Sequence, residues 1–451
     1  MDELSNLTVT TAASLIRQRK ISPVRLMEIL LERSSLLEEK LNIWVTLNAD
    51  HALESAFKRE KDLDDGVIHG PLHGVPVGVK DLYFTKNVKT TACSPVYEHF
   101  VPSYNATTID KLKQAGAIIM GKTITTEFAC GDPPPTVNPW NPLHTPGGSS
   151  TGSAVGVAAR IFPTSLGSQT AGSVLRPASF NGVVGLKPTF GRISRFGVFG
   201  VSWHLDTMGT FTRTVEDAAL MLNVLAGHDP KDHSSSEVGV PDYARAVLES
   251  ITTPRIGILR EFFYDKSDEE VKKHTDDMIH KFKNSGADIR EVTLPAGIQK
   301  LLSAHRILMT AGAAATHQSN FSERPDDYSP NVRGVIEAGM LVPAVTYLQA
   351  DRVRRIYREY VETALADLDV ILTTTAGTPP PKDLTTTGDP RFQAPWTTCG
   401  LPSITVPSGL SKTGLPLGLQ LVSKAFDEST LLTTARWLEG VIQFDATPNI
   451  G

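Results

Sequence analysis

Short apolar runs recur along this chain and longer stretches of helical pattern separate them: VPVGV at 75–79, AIIMG at 117–121, GVVGL at 182–186, RIGIL at 255–259, DVILTT at 369–374 and SITVP at 403–407. Strands that alternate with helices build a sheet covered by helices on both faces. Runs that are apolar at successive positions require both faces of that sheet to be buried. The expected fold is therefore α/β, a three-layer α/β/α sandwich around a large mixed, mainly parallel sheet.

The organisation expected is a single domain over 1–451. A helical N-terminal segment covers 1–65, a glycine- and serine-rich core 66–228, a variable helical region on the substrate side 229–370, and a return to the core 371–451. Thr10 or Thr11 is placed to cap a helix reaching Arg19, and Pro23 suits the first turn of a helix from Val24 to about Leu41. Residues 227–237 (GHDPKDHSSSE) read as a surface loop. Pro379, Pro380 and Pro381 keep the segment 373–388 out of regular helix and central strand. Arg352, Arg354, Arg355 and Arg358 read as the solvated face of a long charged helix.

Charge narrows the partners. The formal net charge is −5 and no basic tract is interleaved with aromatics, which argues against nucleic acid and for a small-molecule substrate. Acidic residues stand at the N-terminus where a secretion signal needs positive charge, and no run of about 18 apolar residues occurs. The expectation is a soluble cytoplasmic protein without a membrane partner, with a homodimer left open. Cys93, Cys130 and Cys399 lack disulfide or metal-ligand spacing, and there is no His-Glu-x-x-His pattern. No metal or organic cofactor is expected.

The chemistry concentrates between Gly147 and Thr189, where GGSSTGS and GSQTAGS bracket a helix of small residues. A serine in a glycine-rich turn can present its oxygen to a substrate. Serine alone is a weak nucleophile, so a base is needed. A lysine follows the apolar run in PVGVKD: Lys80. Its reference pKa of about 10.4 leaves it charged at neutral pH, and a depression of about three units corresponds to about 4 kcal/mol. Burial beside Val75, Val77 and Val79 supplies the desolvation that favours the neutral amine.

PVGVKD, PGGSSTGS and GSQTAGSVLRP, in this order, resemble the amidase signature family of serine hydrolases, and the likeness extends over 72–227 and 392–421. The resemblance implies Ser173 as nucleophile, Ser149 as bridging serine and Lys80 as base. It implies that the backbone N–H groups of Thr170, Ala171, Gly172 and Ser173 form the oxyanion hole. The two serines are 24 residues apart, the family's spacing. Gln169 stands where the family frequently has aspartate, Ala171 where it has glycine, and Arg176 falls one residue later than the usual arginine. Asp206 matches a recurrent family aspartate, with structural and substrate-positioning roles both open. Ser150 and Ser153 read as hydrogen-bonding partners of nearby backbone.

The implied activity is hydrolysis of a carboxamide C–N bond through an acyl-enzyme; the same groups can attack ureas, carbamates and esters. Three other readings stand beside it. Gly148 to Gly152 fits Gly-x-Ser-x-Gly, which would make Ser150 an esterase nucleophile, but no apolar strand precedes it. PTFGRISRFGVF and RTVEDAALMLNVLAGHDP look like the glutaminase subunit of a tRNA-dependent amidotransferase, which would need partner subunits. A non-catalytic binding protein would not need all three chemical groups. The pocket is expected between 131–136, the helices after Phe262, and 395–401.

Overall fold

A computed structural model describes residues 3–249, 253–295 and 297–450. Eleven strands among them form one sheet. They are β1 (Trp44–Leu47), β2 (Pro76–Lys80), β3 (Ile118–Thr123), β4 (Thr164–Gln169), β5 (Val184–Lys187), β6 (Thr207–Thr212), β7 (Arg255–Ile258), β8 (Asp288–Glu291), β9 (Val370–Thr374), β10 (Ser403–Leu410) and β11 (Pro416–Val422). Their spatial order is β1-β3-β2-β4-β6-β5-β10-β11-β9-β7-β8. Helices accompany this large mixed sheet, as expected for an α/β fold.

The balance of directions differs from expectation. Only β2–β3, β2–β4, β7–β9 and β7–β8 pair in parallel, while the other six pairings are antiparallel. The sheet is mixed but not mainly parallel. Crossover helices need parallel neighbours, and such units sit at the flanks. The centre is built from returns such as β10–β11, whose connection closes with a Ser411 N–H to Leu415 C=O bond of 2.7 Å and Gly414 at φ 78°. Two-strand returns of this kind are antiparallel.

The N-terminal segment is not wholly helical, because β1 lies inside it and pairs with β3 at the sheet edge. The first helix, Val9–Arg17, is capped by Thr8 and not by Thr10 or Thr11; the Thr8 hydroxyl accepts from Thr11 N–H. Thr10 instead donates through its N–H and hydroxyl to Asp217. Ser22 caps Pro23–Leu41, with proline in the first turn.

The helix Thr151–Ala158 is buried at every position. Its small residues permit this. A Cβ at Gly152 would come within 2.8 Å of Ile124 N, and one at Gly156 would overlap the Phe162 ring, which also lies 2.7 Å from the Cβ position of Gly78 on β2. The helix therefore lies close against the sheet and brings its N-terminal end, the 149–151 turn, to the end of β2.

Candidate active site

Lys80 is the last residue of β2 and has no exposed surface. Its Nζ lies 2.8 Å from Ser149 Oγ and 2.9 Å from Ser168 Oγ. Burial is the largest influence on the amine and lowers its pKa to about 7, while the negative charge of Asp206 pushes the other way. Cys93 and Cys130 also lie within its field, but burial pushes both thiols up to about 12, so they stay protonated.

Ser168 was not anticipated. It sits on β4, the parallel neighbour of β2, and the Gly-Ser-Gln run around it was the one sequence signal that could have found it. Ser150 and Ser153 are occupied by backbone. Ser150 Oγ donates to Ser168 C=O and accepts from Ser168 N–H, both at 3.2 Å, and Ser153 Oγ donates to Leu166 C=O. With no exposed surface and both functions of its hydroxyl engaged, Ser150 is not presented as an esterase nucleophile would be.

Ser173 follows β4 in the turn 170–173. Its C=O accepts from Ser150 N–H at 3.4 Å, which ties the two serine clusters together through the backbone. Its hydroxyl makes no hydrogen bond among the described residues, and none joins the side chains of Ser149 and Ser173. The structure thus brings Lys80 and Ser149 into contact and leaves Ser173 Oγ unengaged, in a residue 7% exposed.

The backbone around Ser173 is held from three directions. Gln169 Oε1 accepts from Val174 N–H and Leu175 N–H at 2.9 and 3.0 Å. The Thr170 carbonyl accepts from His305 Nε2 at 3.0 Å, and the Ala171 carbonyl accepts from Thr397 Oγ1 at 2.8 Å. Thr397 in turn takes a bond from Gln169 Nε2. With these carbonyls directed into side chains, the N–H groups of Thr170, Ala171, Gly172 and Ser173 have no acceptor among the described residues. Four successive free amides of this kind can hold an anionic oxygen.

The residues whose roles were open find definite places. Gln169 caps the helix Leu175–Asn181 through its oxygen and reaches Thr397 through its nitrogen, so both its amide atoms are used. Arg176 is buried and donates from Nη2 to the carbonyl of Gly148, the residue before Ser149, at 2.8 Å and to Thr387 Oγ1 at 3.1 Å. Asp206 accepts from Thr170 Oγ1 at 2.6 Å and from the N–H groups of Val201 and Ser202. His305 and Thr397 were missed because they are distant in sequence and carry no local pattern.

A cavity of about 510 Å³ is walled by Cys93, Thr125, Asp132, Pro134, Pro135 and Tyr328. Of the segments expected to shape the pocket, 131–136 contributes Asp132, Pro134 and Pro135 to this cavity. The segment 395–401 instead holds the 170–173 turn through Thr397. Among the described residues no group of three or more His, Cys, Asp or Glu side chains is arranged to hold a metal ion, and no helix is long and apolar enough to cross a membrane.

Comparison with known proteins places the chain. A family model described as Amidase matches residues 25–432. A glutamyl-tRNA(Gln) amidotransferase subunit from Geobacter sp. (strain M21) is 36% identical over 98% of this chain and 98% of its own length. Among solved structures, a native peptide amidase from Stenotrophomonas maltophilia is 27% identical with a TM-score of 0.87, covering 98% of both chains. A structure from a vestigial protein complex, described as revealing the origins of an s-triazine catabolic enzyme, reaches a TM-score of 0.91 at 27% identity over 98% of this chain and 100% of that one. Together with the serine- and lysine-bearing core, these matches show that the chain belongs to the amidase family.

Proposed function

We propose that the chain hydrolyses a carboxamide C–N bond through an acyl-enzyme on Ser173. The observation that carries this reading is the buried Lys80 amine, its pKa lowered to about 7, in contact with Ser149 Oγ beside a turn with four free amides. A neutral amine has two N–H donors and one lone pair. It donates to Ser168 Oγ and accepts the Ser149 proton, and Ser149 then accepts the proton of Ser173 as Ser173 Oγ attacks the carbonyl carbon. The alignment of Ser149 with Ser173 is completed when substrate binds. The oxyanion is received by the amides of residues 170–173. Ser149 returns its proton to the departing nitrogen, which leaves as amine, and water hydrolyses the ester by the same route. Ureas, carbamates and esters present the same carbonyl to this machinery.

A second reading is favoured by the relatives in Geobacter sp. (strain M21) and Geotalea daltonii, both amidotransferase subunits that match this chain nearly end to end. On that reading the chain is the glutaminase component of a multi-subunit amidotransferase, and its acyl donor is glutamine. One experiment separates the two. Ammonia or amine release is measured from glutamine and from a panel of simple amides, with the chain alone and with candidate partner subunits. Turnover of simple amides by the chain alone supports the first reading; glutamine turnover that depends on partners supports the second. In either case Ser173→Ala should abolish release while leaving the thermal unfolding profile in place.

A further inference from the structure

The four carbonyls of the turn 170–173 are all engaged, by two different kinds of donor. Gly172 C=O accepts from Arg176 N–H at 3.0 Å and Ser173 C=O from Ser150 N–H at 3.4 Å, both backbone groups of the serine-rich core. Thr170 C=O and Ala171 C=O depend on side chains from outside that core, His305 and Thr397. Across a trans peptide the C=O of one residue and the N–H of the next point in opposite directions. His305 therefore fixes the direction of Ala171 N–H, and Thr397 fixes that of Gly172 N–H.

His305 lies on the helix Gln299–Glu323 and is buried. Burial holds its imidazole below the ordinary pKa, and because a carbonyl only accepts, Nε2 carries the proton. The same helix reaches Thr170 by a second route. Ser202 Oγ donates to Leu308 C=O at 3.1 Å, Ser202 N–H donates to Asp206 at 2.9 Å, and Asp206 accepts from the Thr170 hydroxyl at 2.6 Å. Gly312 permits this approach: a Cβ there would stand 2.6 Å from Ser202 Oγ. Thr170 is thus held at its carbonyl and at its hydroxyl, in a closed ring whose five residues are each at most 7% exposed.

We infer that His305 is a positioning residue for the reaction, setting the peptide between Thr170 and Ala171 so that the Ala171 N–H is oriented for the oxyanion, with Thr397 doing the same for the Gly172 N–H; this rests on the reading of the chain as a serine amide hydrolase. Both side chains act through the backbone. A donor fixed in advance needs no reorganisation as charge develops, so losing either fixing bond weakens the transition state and leaves substrate binding in place.

The test pairs removal of each donor with its return. His305→Phe deletes the donor and keeps a ring, while His305→Gln restores an N–H near the place of Nε2; Thr397→Val and Thr397→Ser form the corresponding pair. Hydrolysis of p-nitrophenyl acetate by water, to acetic acid and p-nitrophenol, is followed for each variant and for Ser173→Ala, with thermal unfolding recorded alongside. Acylation and deacylation both pass through an oxyanion, so kcat reads its stabilisation whichever step is slower. His305→Phe and Thr397→Val should each lower kcat about 10- to 100-fold with KM within about threefold of wild type, and the Gln and Ser variants should recover most of that loss. A crystal structure of His305→Phe should show the 170–171 peptide rotated; His305→Met takes its place if that chain does not fold. A kcat within about twofold of wild type, a loss carried by KM, or no recovery in His305→Gln overturns the assignment. Hydrolysis that does not require Ser173 would instead overturn the catalytic reading, and the peptide orientation in the crystal then decides the positioning role by itself: rotated supports it, unmoved overturns it.

Discussion

Lys80 combines a side chain without exposed surface with two hydroxyl partners, and that combination makes the site depend on pH in one direction. In the proposed role of base the amine works only when neutral. Below about 7 it is an ammonium and cannot accept the Ser149 proton, so kcat/KM should rise with pH through about 7 and level out above it. Lys80→Met should remove this rising limb and lower the plateau about 10²- to 10⁴-fold. Steady-state rates between about pH 5.5 and 9 check this, spanning the region where the amine titrates, and a wild-type rate that falls across that range would contradict it. The serine- and glycine-rich turns marked the region, and the resemblance carried by PVGVKD, PGGSSTGS and GSQTAGSVLRP singled out Lys80, Ser149 and Ser173 within it. Ser168, His305 and Thr397 were not singled out. A serine on a strand, a histidine in a long helix and a threonine in a short one have no local signature, and their roles exist only through partners up to 228 residues away, as in the Gln169–Thr397 bond.

At the scale of elements, close backbone approach decides whether the serine turns meet the lysine strand. The Phe162 ring fits between Gly78 of β2 and Gly156 of the helix Thr151–Ala158. Gly156→Ala places a methyl group where that ring stands, and the ring has no exposed surface to retreat to. The expected cost is about 1–3 kcal/mol, seen as a lower denaturant midpoint, with a larger loss of kcat than of KM because Ser149 shifts relative to Lys80. An unchanged midpoint would show that the contact is slack. The strands that sequence revealed were those with apolar runs, such as β3 and β9. Those it concealed, β4 (TSLGSQ) and β6 (TMGTFT), are equally buried, but they fill the interior with small hydroxyl and glycine residues whose local pattern resembles a loop. The same concealment made the sheet look mainly parallel, because the hidden β6 supplies two of the antiparallel pairings.

Across the whole molecule, buried charge ties the C-terminal helix Glu428–Ile442 to the segment that follows β5. Glu428, at the start of the C-terminal helix, accepts from Thr189 N–H at 2.9 Å and pairs with Arg192 at 3.4 Å, and neither charged side chain is more than 1% exposed. Glu428→Ala leaves the Arg192 guanidinium buried without its counter-charge, and removing one partner of such a pair costs about 3–5 kcal/mol. Denaturant unfolding measures this, and a loss below about 1 kcal/mol would mean that water or rearrangement satisfies Arg192. By itself the sequence determined the class of fold and the kinds of group that carry the chemistry, because apolar periodicity and the placement of glycine, serine and lysine are local properties that each segment shows on its own. Tertiary structure alone decided the strand directions, the second hydroxyl on Lys80 and the freedom of the four amides. Each of these depends on atoms far apart along the chain, and their distances and burial exist only once the chain has folded.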